Sequence, residues 1–179
     1  WTKDQALRAA DAARHDLPLV LLRTTRGDVL IQLFARDVPK GVEHFLDLVR
    51  RREGDRGFYD GTRFHRVEGA FLVQGGDPVS RDDLDAAGRS TGPTPVEVER
   101  NPRHRFFRGA VGFARGMALV NGSQFFVLTG SRPALDEGNF TCFGHVVAGM
   151  DVVDRLARGD TLLEAVVVRP APTEEAREK

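Results

Sequence analysis

The feature that most narrows the fold is a series of short apolar runs. Stretches at 19–24, 29–34, 62–67, 70–74, 110–114, 124–129, 141–147 and 162–169 are rich in Val, Leu, Ile, Phe and Thr, with Gly, Pro, Asp or Asn recurring between them. Runs this short, set off by turn residues, read as strands, because a helix needs ten or more residues to bury a face. Only two segments in the body of the chain carry a helical period. After Pro39, Val42, Phe45, Leu46 and Val49 recur at spacings of three and four until the polar run 50–54, and Met150, Val153 and Leu156 make a shorter pattern that Gly159 ends. Many short strands with two helices point to a closed or nearly closed antiparallel sheet, since closure removes exposed edges.

The first two runs form a hairpin about the turn Thr25-Arg26-Gly27-Asp28, where Gly27 supplies a positive φ. The RGD triplet in that turn reads as a turn and not as an adhesion signal. Ahead of the hairpin, residues 2–14 are expected to be helical, opened by the capping-box pair Thr2 and Gln5, with Ala6, Leu7, Ala9, Ala10 and Ala13 as a thin apolar face. The expected organisation is therefore an accessory helix at 1–17, a β-barrel domain at 18–170 and a polar tail at 171–179. The stretch 78–108 has little regular pattern.

Charge and motifs exclude several functions. The 179 residues carry 26 Lys plus Arg and 26 Asp plus Glu, so the chain lacks the basic surplus that phosphate backbones require, although 23 of the bases are arginine and a local patch is open. No run of about 18 apolar residues exists, so no membrane span is expected. One cysteine, Cys142, excludes an internal disulfide framework. The chain opens at Trp1 and not Met, so its start reads as trimmed and the compartment, cytoplasmic or exported, stays open. No G-x-S-x-G elbow, P-loop or dinucleotide fingerprint is present, and the five histidines lie at no metal-ligand spacing. Neither a cofactor nor a metal is expected.

Two dense blocks stand out: Phe64-His65-Arg66-Val67-Glu68-Gly69-Ala70-Phe71-Leu72-Val73-Gln74-Gly75-Gly76-Asp77, and Asn121-Gly122-Ser123-Gln124-Phe125-Phe126 followed by Leu135-Asp136 and Phe143-Gly144-His145-Val146. In these blocks the chain resembles the cyclophilin-type peptidyl-prolyl cis/trans isomerases, as a bacterial-like member, from about residue 20 to 168. The resemblance implies a mainly β fold: a closed eight-stranded antiparallel β-barrel capped by two α-helices, here with an extra N-terminal helix. It implies Arg66 as the catalytic residue. Phe71, Leu72, Phe126 and Leu135 would form the pocket for the substrate proline ring, and Gln74 would hold the arginine. Ala114, Arg115, Gln124 and Asn139 would line the rest of the groove. His65 alternates with Arg66 along a strand and is expected to be a buried, hydrogen-bonded structural histidine. Cys142 is expected to be buried and inert.

The chain departs from the family pattern at four places. Ala134 stands where many members have a tryptophan, Asn139 where they have a histidine, Arg115 where asparagine is common and Leu72 where methionine is usual. The missing tryptophan implies weak or no cyclosporin binding. The partners implied are proline-containing polypeptides, with no nucleic acid, and a monomer is expected. The alternative is a proline-peptide-binding or chaperone module with little or no catalysis.

Overall fold

The structure is a computed structural model that describes residues 2–89, 96–115 and 120–169. The expected tail at 171–179 lies outside them, as do Trp1 and part of the irregular stretch. In chain order the elements are α1 (Thr2–Ala12), β1 (Leu19–Thr24), β2 (Gly27–Leu33), α2 (Pro39–Arg50), β3 (Arg52–Glu53), β4 (Arg56–Gly57), β5 (Thr62–Arg63), β6 (Arg66–Glu68), β7 (Leu72–Gly75), β8 (Val96–Glu97), β9 (Ala110–Arg115), β10 (Val120–Leu128), α3 (Ala134–Glu137), β11 (Cys142–Ala148), α4 (Met150–Arg155) and β12 (Thr161–Arg169).

Ten strands form one antiparallel sheet in the order β5-β12-β1-β2-β11-β9-β10-β7-β6, with β8 on β10. Its two end strands, β5 and β6, are joined by only Phe64 and His65, so the sheet curls back on itself. Across that seam the Phe64 N–H donates to Asp160 O at 2.9 Å and the His65 N–H to Gln74 O at 3.1 Å. The expected closed barrel of eight regular strands therefore needs correcting. The strand expected at 62–67 breaks in the middle because its first half pairs with β12 and its second with β7. The α-helices number four among the described residues, one more than expected, the addition being the single turn α3; a 3-10 turn also forms at Pro78–Arg81.

The interior is aromatic. Phe45 from α2 packs on Phe143 at 4.8 Å and Phe113 packs on Phe143 at 4.2 Å, with Tyr59 and Phe125 completing the layer. Helix α2 begins at Pro39 and buries Val42, Phe45, Leu46 and Val49, the residues its period predicted. In the first hairpin Thr24 pairs with Gly27, so the turn is two residues shorter than expected, and Arg26 is held by Asp160 at 2.8 Å.

Helix α1 docks differently from its sequence pattern. Its alanines are not buried; the buried side chains are Asp4 and Asp11. Asp4 accepts the Arg105 N–H at 3.2 Å, Arg8 donates to Arg108 O at 2.7 Å, and Asp11 Oδ2 lies 2.9 Å from the buried His104 Nε2. Polar partners on the barrel override the weak apolar face.

Candidate active site

The site begins with the β6–β7 hairpin. Arg66 faces Gln74 in the ladder, Val67 faces Val73 and Glu68 faces Leu72. The turn between them puts Ala70 at φ 53°, a conformation an L-residue with a Cβ adopts only when its surroundings hold it there. Here the Arg132 Nη2 donates to Ala70 O at 2.9 Å and the Thr129 N–H to Phe71 O at 2.9 Å. Phe71 follows that pinned turn and packs, partly buried, against the core.

Behind Arg66 runs a directional chain of hydrogen bonds. Arg66 Nη1 donates to Gln74 Oε1 at 3.4 Å, Gln74 Nε2 donates to Gln124 Oε1 at 2.9 Å, and Gln124 Nε2 donates to Asp77 Oδ2 at 3.1 Å. Asp77 has no exposed surface, and it also accepts the Gly88 N–H at 2.7 Å and the Val79 N–H at 3.1 Å. A carboxylate so placed only accepts, so Gln124 must turn its NH2 toward it, which leaves Gln124 Oε1 for Gln74 and Gln74 Oε1 for the arginine. On the solvent side Arg66 Nε donates to Glu68 Oε1 at 2.7 Å, and Nη2 pairs with the same oxygen. These bonds use three of the five guanidinium N–H groups and leave one on each Nη.

In front of the arginine lies a cavity of about 530 Å³. Arg66, Phe71, Leu72, Gln74, Ala114, Arg115, Phe126 and Leu135 all line it. The hollow within it is aromatic and aliphatic. Arg66 and Arg132 place their guanidinium carbons 5.7 and 4.9 Å from the Phe71 ring centre. Phe126 sits on a floor supplied by Gly112, where a Cβ would come within 2.7 Å of both the Phe106 and Phe126 rings. Asp136, its carboxyl pushed up by burial, accepts the Phe106 N–H at 3.0 Å and so fixes the turn of helix that carries Leu135. Gly76, at φ 82°, lets β7 pass β10 where a side chain would meet Ser123 O at 2.7 Å.

Two expected residues are not on the wall. Gln124 is nearly buried behind Gln74, and Asn139 turns its Oδ1 to Arg100 at 2.9 Å; Phe140, next in the chain, takes the rim position. His65 is buried as expected, yet the break between β5 and β6 ends strict alternation, so His65 and Arg66 both edge the cavity. Burial holds its imidazole below the ordinary value, while the Asp77 carboxylate pulls the other way. Cys142 is buried and its thiol is pushed up to about 12 by burial. Asp77 and Phe140 carry no role assigned from the sequence; the signal for Asp77 is its place at the end of the first dense block.

The described residues contain no cluster of three or more His, Cys, Asp or Glu able to hold a metal ion, and no helix long and apolar enough to cross a membrane. Residues 19–176 match the family model described as cyclophilin type peptidyl-prolyl cis-trans isomerase/CLD. The peptidylprolyl isomerase cyp7 of Schizosaccharomyces pombe is 43% identical over 129 residues, 72% of this chain, which spans only 26% of that protein. A peptidyl-prolyl cis-trans isomerase of Helicobacter pylori (strain J99) is 33% identical over 152 residues, covering 84% of this chain and 86% of that one. Among solved structures, a cyclophilin type peptidyl-prolyl cis-trans isomerase of Cryptosporidium parvum superposes with a TM-score of 0.71 at 25% identity, over 84% of this chain and 97% of that chain. A second structure of that protein, in the presence of the dipeptide Ala-Pro, gives 0.70 over 83% and 98%.

Proposed function

The chain belongs to the cyclophilin-type peptidyl-prolyl cis-trans isomerase family, and from that premise we propose that it rotates X-Pro peptide bonds in flexible polypeptides, with Arg66 as the catalytic residue. The observation that carries the reading is that an oriented guanidinium and the Phe71, Phe126 and Leu135 hollow line the same cavity.

An X-Pro bond turns slowly because amide resonance imposes a barrier of about 18 to 20 kcal/mol. A typical turnover of about 10 to 1000 per second asks the protein to lower it by roughly 4 to 7 kcal/mol. No bond is broken. In the twisted transition state the prolyl nitrogen becomes pyramidal and gains a lone pair that the planar amide lacks. An N–H donor set there binds the twisted form selectively, which is differential binding of the transition state. Arg66 suits the task because its rigid guanidinium fork has two N–H groups to spare, while the Gln74-Gln124-Asp77 chain fixes its direction. The hollow holds the ring while the acyl side turns, and its low polarity strengthens the arginine's bond.

The test is an isomerase assay on an Ala-Pro peptide with wild type and Arg66→Ala side by side. Arg66 is half exposed, so its removal should abolish nearly all rate enhancement while moving the thermal transition by no more than a few degrees. Saturable binding with no rate enhancement in the wild type would instead establish the non-catalytic module. Ala134 opens α3 as an exposed small residue beside Leu135 and offers no indole to a large cyclic ligand, so cyclosporin should bind weakly. Titration by tryptophan-independent calorimetry checks this, and nanomolar affinity would contradict it.

A further inference from the structure

Besides the residues of the proline hollow, the same cavity is lined by Leu84, Asp85, Ala87, Gly88, Arg89 and Arg158. Arg158 ties this loop to the barrel. Its Nε donates to His65 O at 3.2 Å, and its Nη2 donates to Leu84 O at 3.3 Å and pairs with Asp85.

Charge along the whole cavity is one-sided. Arg66, Arg89, Arg115 and Arg158 line it against one carboxylate, Asp85, which Arg158 already takes, while Glu68 is taken by Arg66. Among the described residues neither Arg89 nor Arg115 forms an ion pair, and the adjoining segments 90–95 and 116–119 contain no acidic residue in sequence. Arg115 is the more constrained of the two. Its guanidinium carbon lies 4.5 Å from the centre of the Phe140 ring, and its Nε is shut from solvent with no acceptor. A half-buried cation without a counter-charge is a site that an anionic ligand group satisfies at once. An extended peptide advances about 3.3 Å per residue, so a side chain one or two residues from a proline seated against Phe126 falls within reach of these cations.

We infer that the substrates of this groove are proline segments with an anionic side chain, carboxylate or phosphate, within two residues of the proline. The inference rests on the isomerase reading for the seat of the proline ring. It is tested with N-acetyl peptides carrying Glu, phosphoserine or Lys at the residue two before, immediately before or immediately after the proline. Both kcat/KM, by exchange NMR, and Kd, by calorimetry, are measured. At low ionic strength the anionic peptide should exceed its Lys counterpart by about three- to tenfold at one or more positions. That ratio should shrink toward one in about 0.5 M salt and in the double variant Arg89→Gln/Arg115→Gln. The Glu and phosphoserine arms separate the two sources of the anion. A ratio below about two at every position, or one that the double variant leaves unchanged, overturns the inference. If no peptide is turned over, the isomerase reading fails and the same ratio read from Kd, with the same thresholds, decides this one.

Discussion

Asp77 governs more than its own surroundings, because each amide between it and Arg66 is oriented by the partner behind it. Replacing Asp77 with Asn would put both a donor and an acceptor at the end of that chain, freeing Gln124 and then Gln74 to turn over. The Asp77→Asn variant should lose about tenfold in kcat, or about 1.4 kcal/mol of barrier lowering, with KM within twofold. A lower melting temperature is also expected, since Asp77 anchors the Gly88 and Val79 amides. A melting change with kcat intact would show that Asp77 only supports the loop. At this scale part of the candidate site's geometry is legible: Arg66, Phe71, Leu72, Gln74 and Phe126 come from two dense blocks and line one cavity. What was not legible followed from breaks in regularity. His65 faces the cavity because the strand is interrupted beside it, and Asn139 yields the rim to Phe140 because Arg100 holds its side chain.

Among the elements, α1 and α2 are opposites. Helix α2 was readable to its first residue, since Pro39 sets the φ of the opening turn and its apolar stripe has one place to go. Helix α1 was readable as a helix but not in its orientation, because periodicity says which residues share a face and not whether charged partners wait on the other side. Burying two aspartates and no large apolar side chain, it gains little from the hydrophobic effect. Its amides should therefore exchange with deuterium well ahead of those of α2, by about a hundredfold, when followed by mass spectrometry of the native protein. Equal protection would mean that the Asp4, Arg8 and Asp11 contacts hold the helix as firmly as packing holds α2.

For the molecule as a whole, acid sensitivity has an identifiable source. His145 is buried on β11 beside Phe34, and burial pushes its imidazole down to about 3, with the positive charge of Arg8 and the neighbouring His104 acting in the same direction. The unfolded chain takes up that proton near pH 6.5 and the folded one does not, so this contribution is complete above about 6.5 and is lost as pH falls, by at most about 1.4 kcal/mol per unit. Thermal midpoints measured between pH 7 and 5 should fall with acidity in the wild type and less steeply in His145→Gln. A parallel slope in both would assign the effect elsewhere. The overall architecture was legible as a curled antiparallel sheet, while the seam was not, since two residues serving two neighbours leave no periodic trace. That seam has a bearing on biosynthesis. Strand β12 pairs with β1 on one side and β5 on the other, so while a ribosome is still making residues 161–169 both earlier strands wait with bare edges. A protein proposed to hurry other chains through their slow proline steps must itself stay open until β12 has emerged.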